Sequence, residues 1–164
     1  GDILAQKEFK IDPEDNYEAL EEKLFRGGAT MLPEVIEKWI SGEIKPYSQD
    51  KSKATYTKFV KTEDGKINWN NNTELILRQI KAFSPNPGTF TIFNGKRLLI
   101  LKATGEKTSH NLEPGMVLKD EKGFKIAAKN GFIIPMRVKL EGRKELKAAD
   151  FLRGFKNLIG KNLG

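Results

Sequence analysis

The sequence predicts an α+β chain in two parts: a strand–helix piece belonging to a larger α/β domain, followed by a small β-barrel with flanking helices. Three observations predict it. First, apolar residues recur at roughly helical spacing from Leu20 to Ile40, with too few strands beside them to close a core. Second, Asn94-Gly95 stands between two apolar runs, the strongest short hairpin signal. Third, five short strand candidates follow one another over some fifty residues, separated by turn residues, which is the density of a small barrel. The organisation expected is a terminal α/β piece at 1–45, a connector at 46–64 and the barrel domain at 65–164.

Taken in order, Ile3, Ala5, Phe9 and Ile11 alternate well enough for a strand. Asp12-Pro13-Glu14-Asp15 then offers capping and first-turn acids for a helix. Leu20, Leu24, Leu32, Val35, Ile36, Trp39 and Ile40 form its apolar stripe, and Gly27-Gly28 with Pro33 predicts two helical pieces or a bend. Ser41-Gly42 stops the run, and Ile44 to Tyr56 reads as an extended connector.

Asn71 to Phe83 is the next helix, with Asn71 as cap and Glu74 three residues on in capping-box register. Ile76, Ile80 and Phe83 share a face, and Pro85 and Pro87 forbid continuation. The strand candidates are Thr89–Phe93, Arg97–Ala103, Gly115–Lys119, Phe124–Ala128 and Phe132–Leu140. A short helix, Ala148 to Arg153, and a ragged basic tail complete the chain.

Composition narrows the chemistry. No apolar run approaches the roughly 18 residues a membrane span needs, and no basic-then-apolar leader is visible. Cysteine is absent and His110 is the only histidine, so disulfides, thiolate sites and histidine clusters fall away. His110 reads as a solvated loop residue, Asp2 as a turn acid, Trp69 as a core side chain and Asn70-Asn71-Asn72 as turn and cap material.

The net charge of +7 conceals a division: residues 1–50 carry 6 Lys/Arg against 12 Asp/Glu, a net of −6, and residues 51–164 carry 23 against 10, a net of +13. That bias favours a polyanionic partner. Few aromatics interleave with the cations, so phosphate and shape contact with a folded RNA fits better than base stacking.

Several segments carry a resemblance that is collinear over essentially the whole chain. They are Gly1-Asp2-Ile3-Leu4, Asn16 to Gly42, Pro46 with Gln49-Asp50 and Ala54-Thr55-Tyr56, and Gly65-Lys66-Ile67-Asn68-Trp69. Arg78 to Phe83, Pro85-Asn86-Pro87-Gly88, Pro114-Gly115, Leu140 to Lys144 and Ala149 to Gly154 continue it. The pattern resembles the methionyl-tRNA formyltransferases, across the end of their formyltransferase domain and their C-terminal tRNA-binding domain. Sugar N-formyltransferases and formyltetrahydrofolate dehydrogenases share parts of the first segments. The Glu141-Gly142-Arg143-Lys144 to Asp150-Phe151-Leu152-Arg153-Gly154 ending points to the tRNA enzyme.

The resemblance implies a Rossmann-like terminal piece followed by an OB-like barrel, in a cytoplasmic, monomeric enzyme. It implies initiator methionyl-tRNA as partner, 10-formyltetrahydrofolate as formyl donor, and a missing N-terminal catalytic half that holds the family's asparagine, histidine and aspartate. No catalytic residue is expected here, and the chain alone is expected to be inactive.

Three departures stand out. Asn68 replaces the family's usual aspartate, Asn86 replaces a tryptophan that anchors domain packing, and Lys147 occupies an N-cap usually held by serine or threonine. The last weakens that helix by about 1 kcal/mol. The candidate tRNA contacts are Arg78, Lys81, Lys96, Arg97, Lys102, Arg137, Lys139, Arg143 and Lys144. Arg78 and Lys81 share a helix face. Arg97 and Lys102 are expected on opposite sides of an unbroken strand. The alternatives are a stand-alone nucleic-acid-binding module and the tail of a sugar N-formyltransferase.

Overall fold

The computed structural model describes residues 1–164 and resolves into two compact units, Gly1–Phe59 and Val60–Gly164. In the first unit, residues 3–11 do not form the expected strand. Ile3 makes a single antiparallel bridge with Tyr47, through Ile3 N to Tyr47 O at 2.8 Å and Tyr47 N to Ile3 O at 3.0 Å. An alternating pattern supplies a face, but a strand also needs a neighbour to receive its backbone hydrogen bonds.

Helix α1, Tyr17–Ile40, is continuous over 24 residues despite Gly27-Gly28 and Pro33. Gly27 has a packing reason: a Cβ there would lie 2.1 Å from the Phe9 ring, so the glycine makes room for the N-terminal segment to cross the helix. Asn16, rather than the preceding acids, caps it, its Oδ1 accepting from Ala19 N at 2.9 Å. Asp12 and Asp15 instead hold Lys23 Nζ at 2.8 and 2.6 Å, tying the approach segment to the second turn. No residue of α1 is buried, and Phe25 and Ile40 are 73% and 80% exposed. No helix is long and apolar enough to cross a membrane.

In the second unit a 3-10 turn at Thr62–Gly65 precedes α2, Thr73–Phe83, which sends Ile76 and Ile80 into the core. Its N-cap by backbone geometry is Asn72, whose side chain makes no capping bond. The cap comes from far along the chain: Asn130 Oδ1 accepts from Thr73 N at 2.8 Å. The strands are β1 Phe90–Phe93, β2 Lys96–Lys107, β3 Val117–Asp120, β4 Gly123–Ala128, β5 Gly131–Leu140 and β6 Glu145–Lys147. They form one curled antiparallel sheet ordered β1-β2-β5-β4-β3, with β6 paired to β5. Asn94 and Gly95 turn β1 into β2 with φ of 49° and 73°, the left-handed pair that a two-residue hairpin requires.

Inward-facing Phe93, Leu98, Ile100, Val117, Phe124, Ile126, Ile133, Val138 and Leu140 make one core with α2 and with α3, Ala148–Gly154. Phe151 of α3 meets Phe93 and Phe124 at ring distances of 6.3 and 6.4 Å. Lys147 is the N-cap of α3 and its side chain caps nothing, as its residue type predicts.

The tail is not ragged. Gly160–Leu163 runs along the free edge of β3, with Val117 N to Lys161 O and Gly160 N to Val117 O both at 2.9 Å and Leu163 N to Gly115 O at 3.0 Å. Residues 66–69 line the free edge of β1, where Ile67 N donates to Phe90 O at 2.8 Å. The two segments meet. Leu163 O accepts from Trp69 Nε1 at 3.1 Å and from Thr91 Oγ1 at 2.6 Å, and Trp69 and Leu163 are both buried. Irregular chain therefore fills the gap between the outermost strands, which meets the backbone needs of both edges.

Glu74 links the opposite side. It pairs with Lys107 of β2 and accepts from Thr73 Oγ1 and Asn130 Nδ2 at 3.1 and 3.3 Å. The Lys107 ammonium first, then the backbone N–H at the helix start and the Asn130 amide, hold its carboxyl at about 2 against a usual 4.5. A carboxyl depressed in the folded state stabilises above its unfolded value, and that stabilisation is lost as pH falls through the folded value. The advantage of the native chain over Glu74→Gln in urea midpoint is thus expected to be full at pH 6. It should shrink between pH of about 4.5 and about 2.

Candidate nucleic-acid interface

The register between β2 and β5 decides where the basic residues point. Leu98, Ile100 and Ala103 all reach the core, which an unbroken strand cannot do. The pairing runs Ile100↔Val138, Lys102↔Arg137, Ala103↔Pro135, with shifts on either side of Lys102. One extra residue, Leu101, bulges from β2, and a compensating one, Met136, bulges from β5. The bulge reverses the alternation. Arg97 and Lys102, expected on opposite sides, both face outward.

Two cross-strand rows result. Lys102 is opposite Arg137, which is opposite Lys147 on its other side. One step along, Leu99 is opposite Lys139, which is opposite Glu145. Arg97, Lys102, Arg137, Lys139 and Lys147 are all exposed on this face. Directly opposed like charges oppose folding, so the triple row Lys102–Arg137–Lys147 is an electrostatic cost built into the sheet. Relief within the chain is small. Arg137 Nε donates to Glu145, Arg97 lies 5.1 Å over the Phe90 ring, and Lys102, Lys139 and Lys147 have no ion pair.

The remaining candidates lie elsewhere. Lys96 pairs with Phe93, whose side chain points into the core, so Lys96 takes the opposite side from Arg97 at the hairpin end. The Arg143 guanidinium sits 5.3 Å from the Phe155 ring centroid, next to α3. Lys144 is exposed in the β5–β6 turn, while Arg78 and the half-buried Lys81 sit on α2.

Lys147 was missed. Its place before α3 marked it as a poor cap, and the three-residue strand that aims it outward is too short to announce itself. The tight Glu141-Gly142-Arg143-Lys144 turn after β5 is the signal that predicts a returning strand.

His110 is not simply solvated. Leu112 N donates to its Nδ1 at 3.3 Å, which leaves Nε2–H to donate to Gly131 O at 3.0 Å, and the ring lies 4.6 Å from Phe132. It pins the β2–β3 loop over the outer side of β5. Trp69 is a core residue and Asp2 accepts from Ser48 Oγ at 3.1 Å.

A curled antiparallel sheet with a closing tail, helices packed on it and a dense cationic outer face defines a small α+β domain. The sequence profile of the formyl transferase C-terminal domain matches residues 60–156, and the chain belongs to that family. It is similar over 100% of its length to the methionyl-tRNA formyltransferases of Syntrophus aciditrophicus, at 36% identity, and Bacillus licheniformis, at 34%. The chain spans about half of those relatives, 53% and 52% of their lengths. Among solved structures it shares its fold with a variant of HypX from Aquifex aeolicus. The TM-score is 0.69 at 20% identity, over 99% of this chain and 30% of that one. HypX in complex with tetrahydrofolic acid matches with TM-score 0.59 and 21% identity, over 80% of this chain and 23% of that one.

Proposed function

We propose that this chain is the tRNA-docking portion of a methionyl-tRNA formyltransferase. That enzyme moves a formyl group from 10-formyltetrahydrofolate to the amino group of methionyl initiator tRNA at the start of translation. The observation that carries the reading is the three-cation row on the outer face of β2, β5 and β6, of which only Arg137 is ion-paired, in a chain collinear with half of such enzymes. A row of cations held against its own repulsion fits a phosphate backbone. Arg97, Lys102, Arg137 and Lys139 are assigned as its contacts, joined by Lys147. Arg78, Lys81, Lys96, Arg143 and Lys144 are assigned to flanking phosphates.

On this reading residues 1–45 close a Rossmann-like catalytic domain, 46–64 connect it, and 65–164 form an OB-like tRNA-binding barrel in a cytoplasmic, monomeric enzyme. The groove along α1 does not suit the folate: Tyr17, Leu20, Leu24 and Phe25 give apolar walls, and Glu21 is its one charged side chain. The formyl donor and the catalytic residues are assigned to the part of the relatives that this chain does not match. The chain alone is expected to bind and not to catalyse.

The test is binding of the purified chain to initiator tRNA across a salt series, with elongator methionine tRNA as control. Steeply salt-dependent binding that favours the initiator is expected. Equal binding to both would make the chain a general nucleic-acid-binding module. Absence of binding at low salt would favour the tail of a sugar N-formyltransferase.

A further inference from the structure

Two carboxylates lie at the cationic face: Glu141, whose Oε2 accepts from the Arg97 backbone N–H at 3.1 Å, and Glu145, the one that pairs with a cation of the row. Glu145 opens β6 directly opposite Lys139, and its Oε1 accepts from Arg137 Nε. Arg137 is the middle of the three-cation row, so Glu145 holds the position flanked by a cation on either side. Both side chains remain near solvent, 45% exposed for Arg137 and 39% for Glu145. Glu145 makes no second ion pair and caps no backbone group, so its one partner is Arg137. The pair is therefore held in place weakly and can exchange.

The chemistry of the pair is informative. A guanidinium takes a carboxylate or a phosphate through the same N–H donors. We infer that Glu145 is an internal stand-in for phosphate: it occupies Arg137 in the free protein and must be displaced by the backbone of a docking RNA. This rests on the RNA-docking reading above and adds a selective element to it. A polyanion that engages only part of the face must still displace Glu145. A correctly seated RNA regains that loss through Lys102, Lys139 and Lys147 on either side. Discrimination is a difference of affinities, and a built-in competitor lowers the weaker binder below use.

The experiment compares the full chain with Glu145→Gln, Arg137→Gln and the double variant. Each is titrated at low and moderate salt with initiator tRNA, elongator methionine tRNA and a 20-base-pair RNA duplex. Thermal melts verify that every variant folds. Glu145→Gln is expected to tighten the elongator tRNA and the duplex by about fivefold and the initiator tRNA by less. It should also steepen the salt dependence by about one counterion. In the Arg137→Gln background the gain should largely vanish, because no guanidinium remains to be released.

A gain of equal size in both backgrounds would reduce Glu145 to a bulk negative charge and overturn the inference. So would unchanged binding in Glu145→Gln while Arg137→Gln weakens it, and that outcome leaves RNA docking standing. Failure of every protein to bind any RNA overturns both.

Discussion

Deleting Gly160–Gly164 is expected to remove most of the stability of residues 60–164, because the tail is a wall of the core. Leu163 is 4% exposed, and losing a buried leucine side chain costs about 2–5 kcal/mol. The deletion also takes away Leu163 O, the acceptor for Trp69 Nε1 and for Thr91 Oγ1, and leaves the edge of β3 without its partners at Gly115 and Val117. Each buried donor left unpaired costs a further ~1–3 kcal/mol. Against a typical total of about 5–15 kcal/mol, these losses are enough to unfold the unit or leave it marginal.

Urea unfolding of the full and shortened chains, followed by near-ultraviolet circular dichroism of the buried Trp69, measures the effect. Thr91→Val separates the terms. It removes one donor rather than orphaning it, and Trp69 still holds Leu163 O, so its cost should be near 1 kcal/mol. A shortened chain as stable as the full one would show that the tail merely lies against β3.

The same tail shows where sequence reasoning stops. Lys156 to Gly164 offers Leu158, Ile159 and Leu163 among lysines, asparagines and glycines, too sparse a pattern to announce a strand, yet Leu158 and Leu163 are core residues. Hairpin and helix were legible because their signals are local. Asn94-Gly95 specifies its own backbone, and Ile76 and Ile80 define a face that any core would accept. The expected strand at 3–11 failed for the complementary reason: its alternation is local, but its pairing partner is not, and Tyr47 alone does not supply one. The cap of α2 by Asn130, 57 residues away, has no sequence signature at all.

The candidate interface was half legible in the same sense. That cations dominate residues 51–164 follows from counting. Which of them meet depends on the bulges at Leu101 and Met136, and the apolar run Leu98-Leu99-Ile100-Leu101 gives no mark of where the alternation slips. Counting by twos from Arg97 sent Lys102 to the wrong side. Register errors of one residue exchange the two faces of a strand, so a single bulge is enough to split or to gather a charged site.

Replacing Lys102, Arg137 and Lys147 together by glutamine should therefore have the largest effect on RNA affinity of any triple change that preserves the fold. If each cation neutralises one phosphate, the slope of log affinity against log salt should become shallower by about 2–3. Affinity at low salt should drop by roughly ten- to a hundredfold, from phosphate contacts worth about 0.5–1 kcal/mol each at an exposed face.

The control is a triple glutamine variant at Lys122, Lys129 and Lys161, which are exposed and off this face but change the net charge equally. Long-range attraction responds to net charge, whereas counterion release responds to contacts, so only the row variant should change the slope. Stability gives a second, opposite readout. Removing directly opposed like charges relieves repulsion within the sheet, so the row variant should unfold at a urea concentration no lower than the native chain. Weaker binding without weaker folding is the signature of residues kept for a partner rather than for the fold. Equal slopes in the two triple variants would mean that the polyanion lies somewhere other than on this face.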